Sequence, residues 1–284
     1  MHDHFNASEW LVDRHIQTGA GDRIAVRQGD AEYTYGDVLA VVERVAASLR
    51  SHGVRPEERV ALAMLDSIEF VAAFLGAMRI GAVPVAMNPL LPGRDLGVIV
   101  ADARARVLLV SAEREDALVD LRPAAPELHA VITTGATAVG ATSWADFLRA
   151  GADSDGAAHS TWADSPGFWL CTSGSTGAPK LAMHRHADIP ATCETYADQV
   201  LGITADDVCY SVGPMFHAYG LGNSLTFPFS VGATAVLEPS RPPTPQGVAE
   251  RVRGHGATLF FCIPTFYAAL LASDIDDDAF GSVR

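Results

Sequence analysis

The chain has 284 residues, enough for one large domain or two smaller ones, each with its own core. About half of the residues are hydrophobic (49%) and 19% are charged, an ordinary balance for a globular protein. The formal net charge of -14 would repel a nucleic-acid backbone, so no DNA or RNA partner is expected.

The first ten residues are polar and include His2, Asp3 and His4, unlike a signal peptide. Thr34, with Asp37 three residues later, reads as a capping signal. In the helix it starts, Val38, Val42, Val45 and Leu49 share one face. Residues 60–65 read as a short buried strand, and Ser67 as the cap of a second helix with Phe70, Phe74 and Met78 inward. The apolar run 70–78 is too short to span a bilayer and ends at Arg79, so no membrane partner is expected. Strands are predicted at 82–86 and 106–110, and a Gly-, Ala-, Ser- and Asp-rich loop at 150–164. Further strands follow at 168–172, 181–184, 208–212, 233–237 and 257–263. Thr244 caps a helix whose first residue is Pro245, and a last helix covers 265–273. The alternation predicts an α/β fold, a largely parallel sheet flanked by helices, divided into subdomains 1–163 and 164–284. Cys171, Cys193, Cys209 and Cys262 form no C-x-x-C pair and read as reduced core residues of a cytoplasmic protein.

The strongest chemical signal is Thr172-Ser173-Gly174-Ser175-Thr176-Gly177-Ala178-Pro179-Lys180, directly after a buried strand. Glycines let a backbone fold tightly around a phosphate and turn its N–H groups inward. Ser and Thr hydroxyls add donors and a lysine adds charge. The plainer alternative is a Ser/Gly linker, but Phe168-Trp169-Leu170-Cys171 on one side and Pro179-Lys180 on the other are unlike linker flanks. A Walker A loop needs G-x-x-x-x-G-K-[ST] and a following helix, whereas the glycine spacing here is shorter and a strand follows. His184 and His186 have the spacing of a metal pair on a strand, yet no Cys or carboxylate cluster supports one.

The loop resembles the phosphate loop of the adenylate-forming superfamily, which includes acyl- and aryl-CoA ligases. Tyr33-Thr34-Tyr35-Gly36-Asp37, Gly81-Ala82-Val83-Pro84-Val85-Ala86-Met87-Asn88-Pro89 and His184-Arg185-His186-Ala187-Asp188 resemble other stretches of that family. Phe216-His217-Ala218-Tyr219-Gly220-Leu221-Gly222-Asn223, Phe227-Pro228-Phe229-Ser230-Val231-Gly232-Ala233-Thr234, Tyr196 and Gly202-Ile203-Thr204 look most like benzoate-type CoA ligases. The resemblance implies ATP-dependent activation of an aromatic acid to acyl-AMP and then acyl-CoA, with Mg²⁺ on the phosphates and coenzyme A as acceptor. It assigns ATP to Thr172, Ser173, Gly174, Ser175, Thr176, Gly177 and Lys180, with Lys180 and His217 as catalytic candidates. It lines the acid pocket with Tyr196, His217, Ala218, Tyr219, Gly220, Ile263, Pro264 and Thr265, and Phe266 is a further ring-bearing candidate. His217 and Tyr219 could also be ordinary packing residues. Where benzoate-type members usually carry phenylalanine, this chain has His217, a position that could add a hydrogen bond to a substituted ring.

The family's Y-G-x-T-E and S-T-G-D segments and its small lysine-bearing C-terminal domain have no counterpart in these residues. The chain therefore reads as an N-terminal portion, expected to be inactive alone. Two alternatives stay open: an acyl-AMP ligase that loads a carrier protein, and a non-catalytic binding fragment.

Overall fold

A computed structural model describes residues 3–135, 140–172, 180–238 and 240–284. Among these residues the strands are β1 (Ile24–Gln28), β2 (Ala31–Thr34), β3 (Arg59–Ala63), β4 (Val83–Ala86), β5 (Ala105–Val110), β6 (Ala130–Thr133), β7 (Thr142–Ser143), β8 (Pro166–Thr172), β9 (Lys180–Arg185), β10 (Val208–Ser211), β11 (Thr234–Val236) and β12 (Leu259–Phe261). The longer helices are α1 (Tyr35–Ser51), α2 (Ile68–Arg79), α3 (Gly93–Asp102), α4 (Pro245–His255) and α5 (Pro264–Leu271).

The strands form two sheets. One has seven strands in the order β7-β6-β5-β3-β4-β8-β9, the other five in the order β12-β10-β11-β1-β2. All pairings are parallel except β1 with β2 and β8 with β9. The expected division at 163/164 does not follow the sheets. Strands β1 and β2 join β10, β11 and β12, while β8 and β9 join the strands that precede them. The physical reason is a long-range pairing, Val26 with Ala235 and Arg27 with Val236, for which the sequence holds no local cue.

Local chemistry sets the helix starts. Thr34 Oγ1 accepts from Asp37 N–H at 3.1 Å, and the Asp37 carboxylate accepts from Thr34 N–H at 2.9 Å, a reciprocal cap for α1. Ser67 caps α2 through Phe70 N–H, and Thr244 caps α4 through Gly247 N–H. Helix α2 is almost wholly buried, with Phe70, Phe74 and Met78 inaccessible. It lies close against α1: a Cβ on Gly76 would stand 2.8 Å from a Val45 methyl. Strand β12 is shorter than the predicted 257–263, because the chain leaves the sheet at Cys262 and turns into α5. Among the described residues no helix is long and apolar enough to cross a membrane.

Candidate active site

In parallel sheets the carboxyl ends of the strands open onto the crevice where ligands bind. The chemically marked residues of this chain gather at such ends. Strand β8 ends at Thr172 and β9 begins at Lys180, paired directly opposite it. Thr172 Oγ1 donates to the Lys180 carbonyl at 3.4 Å, so the two anchors of the Gly-rich loop are held together. Both side chains are exposed. Ser173, Gly174, Ser175, Thr176 and Gly177 lie outside the described residues.

The second group follows β10. Ser211 Oγ accepts from Gly213 N–H at 3.1 Å and His217 N–H donates to the Pro214 carbonyl at 3.0 Å, which folds 211–217 into a tight reversal. Met215 and Phe216 are buried in the main core, and His217, Ala218 and Tyr219 emerge beyond them, exposed. A short helix begins at Ala218. Gly220 is buried at its centre, and a Cβ there would stand 2.2 Å from the Pro214 carbonyl oxygen. The helix therefore rests directly on the reversal, an approach that only glycine permits.

Neighbouring β12 delivers the third group. Ile263, Pro264 and Thr265 are exposed where the chain enters α5. The Tyr219 hydroxyl donates to the Cys262 carbonyl at 3.3 Å. Burial pushes the pKa of this phenol up, helped by Cys262 and Tyr196, so it stays neutral and able to donate. Tyr196 is close enough to act on the Tyr219 phenol electrostatically, and its own ring lies 5.7 Å from Phe227. The His217 ring lies 4.7 Å from Phe216, and burial lowers its pKa, so the imidazole is neutral at pH 7.

Phe266 does not belong to this group. It turns inward, against the cluster of Tyr210, Val212, Val236 and Val248. The next ring, Tyr267, is 43% exposed, and burial, followed by Cys262 and Tyr219, pushes the pKa of its phenol up. Sequence reasoning missed Tyr267 because Pro264–Leu271 is apolar on every side, and periodicity cannot say which ring faces the core. It gave no role to Asn223, a buried amide that acts on the Tyr219 phenol and whose Nδ2 has no hydrogen-bond partner among the described residues.

The two histidines after the loop serve packing. His184 stacks on Phe168 with ring centroids 4.6 Å apart, and it pairs with Asp188. His186 is buried, and its Nδ1 accepts from Ala7 N–H at 3.0 Å. Among the described residues no three His, Cys, Asp or Glu side chains converge as a metal site.

A family model described as AMP-binding enzyme matches residues 12–284. The chain belongs to the AMP-binding enzyme family. Among its relatives, a benzoate–CoA ligase of Thauera aromatica is 41% identical over 273 residues, 95% of this chain and 51% of that protein. A 4-hydroxybenzoate–CoA/benzoate–CoA ligase of Rhodopseudomonas palustris is 38% identical, over 94% of this chain and 49% of that protein. The crystal structure of an anthranilate CoA ligase in complex with anthranoyl-AMP superimposes with a TM-score of 0.92 at 30% identity, covering 99% of this chain and 54% of that one. The chain spans about half the length of the curated relatives it matches.

Proposed function

We propose that the protein carrying this chain activates a benzoate-like aromatic acid, first to acyl-AMP and then to acyl-CoA. The observation that carries the reading is the bond from Tyr219 to Cys262, in the segment that also exposes His217, at the same kind of sheet edge that holds Thr172 and Lys180. The names of the aryl-CoA ligase relatives support it.

In the first step a carboxylate oxygen of the acid attacks the α-phosphorus of ATP. The bond to the β-phosphate breaks, and pyrophosphate leaves with the electron pair. Charge develops on that leaving group, and fixed donors stabilise it without reorganising. Lys180, exposed at the start of β9, supplies such a charge, and Thr172 a hydroxyl. Mg²⁺ accompanies the phosphates as part of the nucleotide substrate. The rings of Tyr196 and Tyr219 offer stacking and edge contacts to an aryl acid, and the neutral His217 can accept or donate a hydrogen bond to a ring substituent. In the second step the thiolate of coenzyme A attacks the acyl carbonyl and AMP leaves.

The test is to incubate the full-length protein with benzoate, ATP, Mg²⁺ and coenzyme A. AMP, pyrophosphate and benzoyl-CoA should form in equal amounts. ADP as the nucleotide product would overturn the adenylation step, and transfer only to a carrier-protein thiol would overturn coenzyme A as acceptor.

A further inference from the structure

Asp66 sits at the carboxyl end of β3, in the loop before α2, and is 1% exposed. One carboxylate oxygen accepts from Met215 N–H at 2.9 Å and the other from the Arg241 guanidinium at 2.8 Å. Arg241 is itself buried against Asp66, 7% exposed at the side chain. Met215 belongs to the segment after β10, and Arg241 to the segment after β11. Asp66 is therefore a tie from the carboxyl edge of the seven-stranded sheet to two segments at the carboxyl edge of the five-stranded one. A buried carboxylate is costly unless paired and hydrogen-bonded, and replacing a buried ion pair with apolar groups is often neutral or stabilising. Stability alone gives little reason for a charge here, whereas orientation of a backbone segment does. Met215 lies two residues before His217, and among the described residues Met215 N–H donates to Asp66 alone.

We propose that Asp66 is a positioning residue for the acid pocket: through Met215 N–H and Arg241 it fixes the segment that presents His217, Ala218 and Tyr219, and so sets affinity for the acid. This rests on the reading of that segment as the acid pocket. Burial raises the Asp66 carboxyl to about 6 against the pull of Arg241, which still leaves it ionised at pH 7.

The test uses the full-length protein and the double variant Asp66→Leu with Arg241→Met, which removes both charges together and keeps the site apolar and filled. Asp66→Asn serves as the conservative rescue, because its amide oxygen can still accept from Met215 N–H. Asp207→Asn is the control, a buried carboxylate paired with Arg284 ahead of the opposite end of β10. Two quantities are read: amide hydrogen exchange over 213–219, and KM for benzoate against KM for ATP. The double variant should speed exchange over that segment and raise the benzoate KM about tenfold with the ATP KM within about twofold. Asp66→Asn should recover most of the protection, and Asp207→Asn should change neither quantity. Unchanged exchange in the double variant overturns the proposal, as do equal rises in both KM values. If the wild-type protein activates no aromatic acid, the functional reading fails, and the exchange measurement alone decides whether Asp66 holds the segment.

Discussion

The Tyr219 hydroxyl donates to the Cys262 carbonyl across 3.3 Å, joining the segment after β10 to the segment after β12. The two strands are parallel neighbours, with Tyr210 opposite Phe260 and Ser211 opposite Phe261, so their outgoing segments emerge side by side. Tyr219→Phe keeps the ring and loses the bond, at a cost of about 1 kcal/mol in stability. Tyr219→Ala removes the ring as well. In the full-length protein it should lower kcat/KM for benzoates more than for small aliphatic acids. Equal losses across the acids would mean that Tyr219 only packs.

Lys180 stands exposed at the first position of β9, opposite Thr172. Lys180→Ala should leave the fold intact while weakening adenylation. Loss of one charge-assisted hydrogen bond corresponds to about 1.5–3 kcal/mol, or roughly a 10- to 150-fold slower ATP–pyrophosphate exchange. An exchange rate equal to that of the wild type would contradict this role.

Gly220 has no room for a side chain, since its Cβ would stand 2.2 Å from the Pro214 carbonyl oxygen and 2.3 Å from that of Gly213. Gly220→Ala must push the short helix off the reversal that carries His217. Overpacking of this kind costs about 1–3 kcal/mol. The urea midpoint should fall and the KM for benzoate should rise. A midpoint and KM matching the wild type would show that the segment shifts freely.

His186 gives a pH dependence of known sign. Burial lowers its pKa to about 4, while in the unfolded chain it is near the ordinary 6.5. Between those values the unfolded chain binds the extra proton and the folded chain does not. Stability is therefore full above pH 6.5 and falls as the pH drops toward 4, by about 3 kcal/mol in all. His186→Gln should remove most of that slope in urea midpoints measured from pH 7 to pH 4.5. An unchanged slope would assign the acid sensitivity to other groups.

Much of the fold was legible where structure is made by neighbours in sequence. The Thr34–Asp37, Ser67 and Thr244–Pro245 signals each start a helix, and the apolar runs around Val60, Val83 and Leu108 are strands. What joins distant segments was not legible. The pairing of β1 with β11 splits the strands between sheets in a way that no local pattern announces. Thr172 and Lys180 stood out through the Gly-, Ser- and Thr-rich loop between them, and the 217–220 segment only through its resemblance to aryl-CoA ligases. Tyr267 was hidden in a uniformly apolar helix. Asp66 was hidden because its partners, Met215 and Arg241, lie 149 and 175 residues away.

The proposed acid pocket takes a flat aromatic acid. The most direct measurement is kcat/KM of the full-length protein for benzoate, 4-hydroxybenzoate, cinnamate, octanoate and palmitate, followed by AMP release. Ring-bearing walls favour aryl acids through contacts worth about 0.5–1.5 kcal/mol per pair, and bulky side chains exclude long chains by clash. Benzoate or its hydroxylated form should give the highest value, with palmitate far below. A higher kcat/KM for octanoate or palmitate would contradict the account.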